Sequence, residues 1–137
     1  MRQRYFLIEP QYSDPDTFCH FVVGRDRVRA SIQIYADLGM LRAVAASLTA
    51  SSLEKETPRT GDPMDECEQY DFKLTVLPHQ GGSKSLRFRV FQEMLDDGAP
   101  YRVDIRFDLS PKEAEEFALE LEAWCTKPQY VFVWKTD

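Results

Sequence analysis

Arg27, Arg29, Lys73, Arg87, Arg89, Arg102 and Arg106 recur at alternating positions within runs of apolar residues. Arginine carries a rigid fork of donors that matches carboxylates and phosphates, so these guanidinium groups, if aligned, form an anion-reading surface. The competing reading is a solvated sheet face on which Asp71, Asp104 and Asp108 pair with the arginines across strands. Tyr35 and Phe91 share the same parity, and exposed aromatics beside arginines are the usual anchors of binding surfaces. Carboxylates gather in two other places. Asp62, Asp65, Glu66 and Glu68 crowd one irregular segment, and Glu116 and Glu120 lie on the outer face of a later helix. Their spacing does not match a calcium loop, so a basic protein is the partner they fit, and solubility is the plainer alternative.

Nucleophilic chemistry finds little support. Cys19 and His20 are adjacent in a strand-like run, and adjacent strand residues point to opposite faces. Two histidines and three scattered cysteines offer no zinc-ligand spacing. Gly81 and Gly82 beside His79 lack the strand–loop–helix context of a phosphate-binding loop. No cofactor, metal or enzyme activity is therefore expected.

The elements that would position these groups follow from periodicity. Tyr101, Val103, Ile105 and Phe107 alternate with Arg102, Asp104, Arg106 and Asp108, the pattern of a strand with one dry face. A helix start comes next: Ser110 as N-cap, Pro111 at the first helical position and Glu113 completing a capping box. Ala114, Phe117, Ala118, Leu121, Trp124 and Cys125 then form one apolar stripe. Earlier, residues 4–8 read as a strand, residues 18–23 as one apolar on both faces, and Val28, Ala30, Ile32 and Ile34 as its hairpin partner. Asp37 caps a helix from about Leu38, with Leu41, Val44, Ala45 and Leu48 as its stripe. Residues 51–68 lose all period and read as a long exposed loop, functional or merely tolerated. Residues 70–76, 86–91 and 101–108 form a meander, and residues 129–134 a last edge strand.

The order predicts one α+β domain over residues 1–137: a twisted, mainly antiparallel sheet of six to seven strands with both helices on one face. The size is that of a single domain, and 43% hydrophobic with 29% charged residues is ordinary for a globular chain. A net charge of −6 argues against general affinity for nucleic acid or an anionic membrane. The N-terminal apolar run is too short for a signal peptide, and three cysteines without a CxxC pair fit a reducing compartment, so the cytoplasm is expected.

The run VRASIQIYADLGMLRAVAASL, a variable loop, and then YDFKLTVLP, KSLRFRVFQ and YRVDIRFDLSPKEAEEFALELEAW resemble, in layout, the WapI-type bacterial immunity proteins and their relatives. The resemblance spans residues 28–125 and rests on the pattern of elements. It implies a non-enzymatic inhibitor of a toxin delivered by a neighbouring bacterium, and an acidic inhibitor suits a basic toxin. The alternatives are an oligomeric accessory protein, associating through the arginine-aromatic face or the last strand, and a small-anion binder.

Overall fold

The computed structural model describes residues 3–11, 18–49, 70–78, 83–92 and 101–136. Strands β1 (Arg4–Pro10), β2 (Phe18–Arg25) and β3 (Val28–Tyr35) lead into helix α1 (Leu38–Thr49). Strands β4 (Tyr70–Pro78), β5 (Lys84–Gln92) and β6 (Tyr101–Leu109) follow, then helix α2 (Pro111–Thr126) and β7 (Phe132–Thr136). The fold is α+β, and every strand pairing is antiparallel.

The strands divide into two sheets where the sequence predicts one: β3-β2-β1-β7 and β4-β5-β6. Connectivity explains the division. Short stretches of chain join β2 to β3, β4 to β5 and β5 to β6, whereas α1 and a much longer stretch separate β3 from β4, so nothing in the chain obliges those two to pair. Each sheet keeps its own dry face, and the two faces meet. Phe6 and Phe21 of the first sheet stand 4.9 Å from Phe88 and 4.8 Å from Phe72 of the second, respectively, between ring centres. The helices pack against each other and against this shared core, instead of lying on one face of one sheet.

Both helices begin on local hydrogen bonds. The Met40 amide donates to Asp37 Oδ1 at 3.1 Å and the Leu41 amide to the Asp37 carbonyl at 3.0 Å, which caps α1. Leu41, Val44, Ala45 and Leu48 are its buried stripe. At α2 the capping box is complete: the Glu113 amide donates to Ser110 Oγ and the Ser110 amide to Glu113 Oε1, each at 3.1 Å. Ala114, Phe117, Ala118, Leu121, Trp124 and Cys125 are buried as their spacing predicts. Beyond α2, the Lys127 amide bonds to the Trp124 carbonyl and the Trp124 indole N–H to the Tyr130 carbonyl at 2.6 Å. These bonds hold residues 128–130 in a turn, so β7 begins at Phe132, later than the alternation alone predicts.

β2 and β3 turn at Asp26 and Arg27, where Asp26 adopts φ 55, a conformation aspartate tolerates better than most residues. Nearby, Gly24 faces Tyr5 across the β1–β2 ladder, and a Cβ at Gly24 would lie 2.1 Å from the Tyr5 ring. The ring therefore occupies the space a side chain would need. Gly24→Ala is expected to displace it and cost about 1–2 kcal/mol, in the range of overpacking changes. In a Tyr5→Ala background the same substitution should cost almost nothing. Urea unfolding of the double-mutant cycle measures that coupling, and an unchanged cost would place the strain elsewhere.

Candidate interaction site

The outer face of β4-β5-β6 carries Arg87, Arg89 and Phe91 beside Arg102, Asp104, Arg106 and Asp108. Arg27 and Arg29 belong to the other sheet, at the β2–β3 turn and in β3, so the predicted row of guanidinium groups is split between two sheets. On the second sheet several are engaged within the face. Arg87 grips Asp104 with two nitrogens, the shorter contact 2.6 Å. Arg106 lies 3.6 Å from Asp108, and the Arg102 guanidinium sits 5.0 Å from the centre of the Phe91 ring. The Arg87 hydrogen bond, helped by the charges of Arg87, Arg89 and Arg106, outweighs partial burial and holds the Asp104 carboxyl below its usual range. Arg89 Nε and Thr75 Oγ1 on this face are buried and find no hydrogen-bond partner among the described residues.

This cross-strand pairing is a surface feature, with side chains 40% and 47% exposed for Arg87 and Asp104. Arg87→Ala should cost no more than about 1 kcal/mol, as exposed pairs do. Urea unfolding at neutral pH checks this, and a loss well above that would mean that the pair supports a buried network.

The acidic surface has a different character. Glu115, Glu116, Glu120 and Glu122 are exposed on the outer face of α2, with Leu119 exposed among them. Lys112 approaches Glu116 at 4.0 Å. Partial burial, together with the charge of Glu116, pushes the Glu120 carboxyl up. Asp62, Asp65, Glu66 and Glu68, the other half of the predicted acidic patch, lie outside the described residues, as do Cys67, His79 and the 51–68 loop.

Beside this helix face runs a groove of about 350 Å³, walled by Glu120, Ala123, Trp124 and Lys127 on one side and residues 130–133 on the other. The sequence pattern does not single it out.

Cys19 and Cys125 are both buried and unpaired. Burial pushes the Cys19 thiol up to about 12 and, as the leading cause, Cys125 to about 11, so neither is a thiolate near neutral pH. Cys19 points into the core while His20 sits half-buried on the other face of β2, as alternation predicts. Among the described residues no group of three or more His, Cys, Asp or Glu is placed to hold a metal ion. No helix among them is long and apolar enough to cross a membrane. Three buried polar residues escape the sequence pattern: Thr75, at outward parity in β4; Lys84, at core-facing parity in β5; and Ser85, whose hydroxyl donates to Asp108 Oδ1 at 2.6 Å.

Comparison of the chain with protein-family models and with curated proteins finds no match.

Proposed function

We propose that the chain is a non-enzymatic protein-interaction module that binds a basic partner through the outer face of α2, as an immunity-like inhibitor of a basic toxin would. The observation that carries this reading is the set of four exposed glutamates around an exposed leucine on a helix whose start is fixed by a capping box. Charge around a central apolar contact is the usual build of a binding surface: the charges steer encounter and the apolar group supplies contact. The net charge of −6 reinforces the attraction for a cationic partner. In this reading the protein works in the bacterial cytoplasm, where buried free thiols such as Cys19 and Cys125 stay reduced.

The test is co-expression with a candidate basic toxin encoded next to it in its genome. The wild-type chain should restore growth and bind the toxin less tightly as salt rises. Glu116→Lys with Glu120→Lys should weaken binding by about tenfold, the worth of two exposed charge contacts. Binding that ignores both salt and the charge reversal would remove this reading.

A second reading has its own observation. The unpartnered Arg89 Nε and Thr75 Oγ1 on the outer face of β4-β5-β6 are donors a small anion could satisfy. Phosphate titration, followed by thermal melting with wild type and Arg89→Ala, tests it; equal response of both chains would discard the anion site.

A further inference from the structure

Among the described residues the end strand of the first sheet is paired on one side only. β7 pairs with β1 and closes the order β3-β2-β1-β7, and no described strand lies along its other edge. An open edge is a row of amides and carbonyls ready to pair with another chain. The groove beside α2 opens on that edge. Phe132 points into the core and Val133 outward, yet both line the groove, so it faces the side of the strand and not one of its surfaces.

Apolar exposure concentrates here as well. Of the six large hydrophobic residues exposed among the described residues, three line the groove: Tyr130 at 62%, Val131 at 57% and Val133 at 49%. The bond from Trp124 to the Tyr130 carbonyl braces the groove's wall. Charge then selects the occupant. Glu120 lines one end of the groove with Glu116 one helical turn before it, and Lys127, the residue after α2, lines it two turns further on, so the acidic end is the one that takes a cation. The two glutamates repel each other, and a cation between them relieves that repulsion.

We infer that the groove between α2 and the open edge of β7 takes an extended segment of a partner protein, alternating apolar with lysine or arginine residues, as an added strand. The inference deepens the reading of α2 as a face for a basic partner and rests on it. A second copy of this chain fits less well, because it brings another net charge of −6 and its own Glu116 and Glu120 to the seam. Strand addition supplies affinity through main-chain hydrogen bonds, and alternate side chains supply selectivity.

The probe is the capped peptide acetyl-Lys-Val-Arg-Val-Lys-amide, with two further versions N-methylated on its odd or its even amides. Binding is followed by amide NMR shifts and hydrogen exchange of the full chain. The parent peptide should shift and protect residues 131–136. One methylated version should lose at least tenfold in affinity while the other keeps it, because only one edge of an added strand donates to β7. Val131→Thr with Val133→Thr should weaken binding threefold or more. If peptide binding depends on Glu116 and Glu120 but neither methylation nor the valine changes matter, strand addition is wrong and the acidic-face reading survives. No binding of any peptide overturns both. Protection of β7 that grows with protein concentration, without peptide, would make a second copy the occupant and overturn the inference.

Discussion

Phe6→Ala is expected to cost about 4 kcal/mol or more, within the usual range for emptying a fully buried aromatic site. Phe6 has no exposed surface, and its ring lies 4.9–6.3 Å from the rings of Phe21, Phe72, Phe88, Phe117 and Phe132. Those five come from both sheets and from α2, so the side chain has no single neighbour that could fall back and close the hole. Domains are stable by only about 5–15 kcal/mol, so one such change removes a large share of the total. Urea unfolding followed by circular dichroism reads the loss. A cycle with Phe88→Ala separates the contribution across the sheets: coupling above about 0.5 kcal/mol is the expected result for residues in contact. A loss under about 1.5 kcal/mol, or no coupling, would mean that the two sheets do not meet at this ring.

The second large effect belongs to Arg4, a cation at the start of β1. Its Nε donates to Thr136 Oγ1 of β7 at 3.0 Å, one Nη to the Asp108 carbonyl at the end of β6, and the other to Glu113 in the first turn of α2 at 2.6 Å. The guanidinium also lies 5.5 Å from the centre of the Trp134 ring. One side chain thus ties the first sheet, the second sheet and a helix start. Arg4→Ala is expected to cost about 2–3 kcal/mol, several charge-assisted bonds discounted because Arg4 is still 18% exposed. Arg4→Lys should recover less than half, since an ammonium cannot span three acceptors in fork geometry.

The acid limb carries a second signature of this residue. Burial pushes the Glu113 carboxyl up, but the Ser110 amide and Arg4 together more than reverse this and leave it below its ordinary 4.5. A lowered carboxylate stabilises the fold above its unfolded value, and that contribution fades as pH falls through the folded value. Wild type should therefore lose this increment in acid. The Arg4→Ala chain, with burial now less opposed, has less to lose, so the stability gap between the two should narrow as pH falls. Urea midpoints taken from neutral pH down through the carboxylate range check this, and a gap that widens would assign the bond energy elsewhere.

Much of this fold is legible in alternation. Phe88 and Ile105 face the core, Phe117 and Leu121 do too, and the stripe of α1 falls on Leu41, Val44, Ala45 and Leu48. A period of two fixes which face a residue takes, but it carries no information about which strand lies alongside. That is why two sheets replace the one predicted, and why β7 pairs with β1, aligning Phe6 with Trp134. The groove follows from that pairing, since only as an end strand does β7 present an edge to α2. Glu116 and Glu120 are legible from the outset as an outer helix face. The last strand reads as an edge, as it is, but Val131 and Val133 do not read as the wall of a groove, because alternation does not say which helix an edge lies beside. Lys84 shows the other gap: its parity directs it to the core, and its charge hides that from any hydrophobic pattern.

The partnership of the first strand with the last has a mechanical consequence. Arg4 lies beside Thr136 in antiparallel register, so tension applied at these two points loads the ladder one rung at a time from its end. Hydrogen bonds pulled in sequence peel, whereas bonds pulled lengthwise must break together. The protein should thus open at low force in an optical trap, with the guanidinium clasp as the first element to give way.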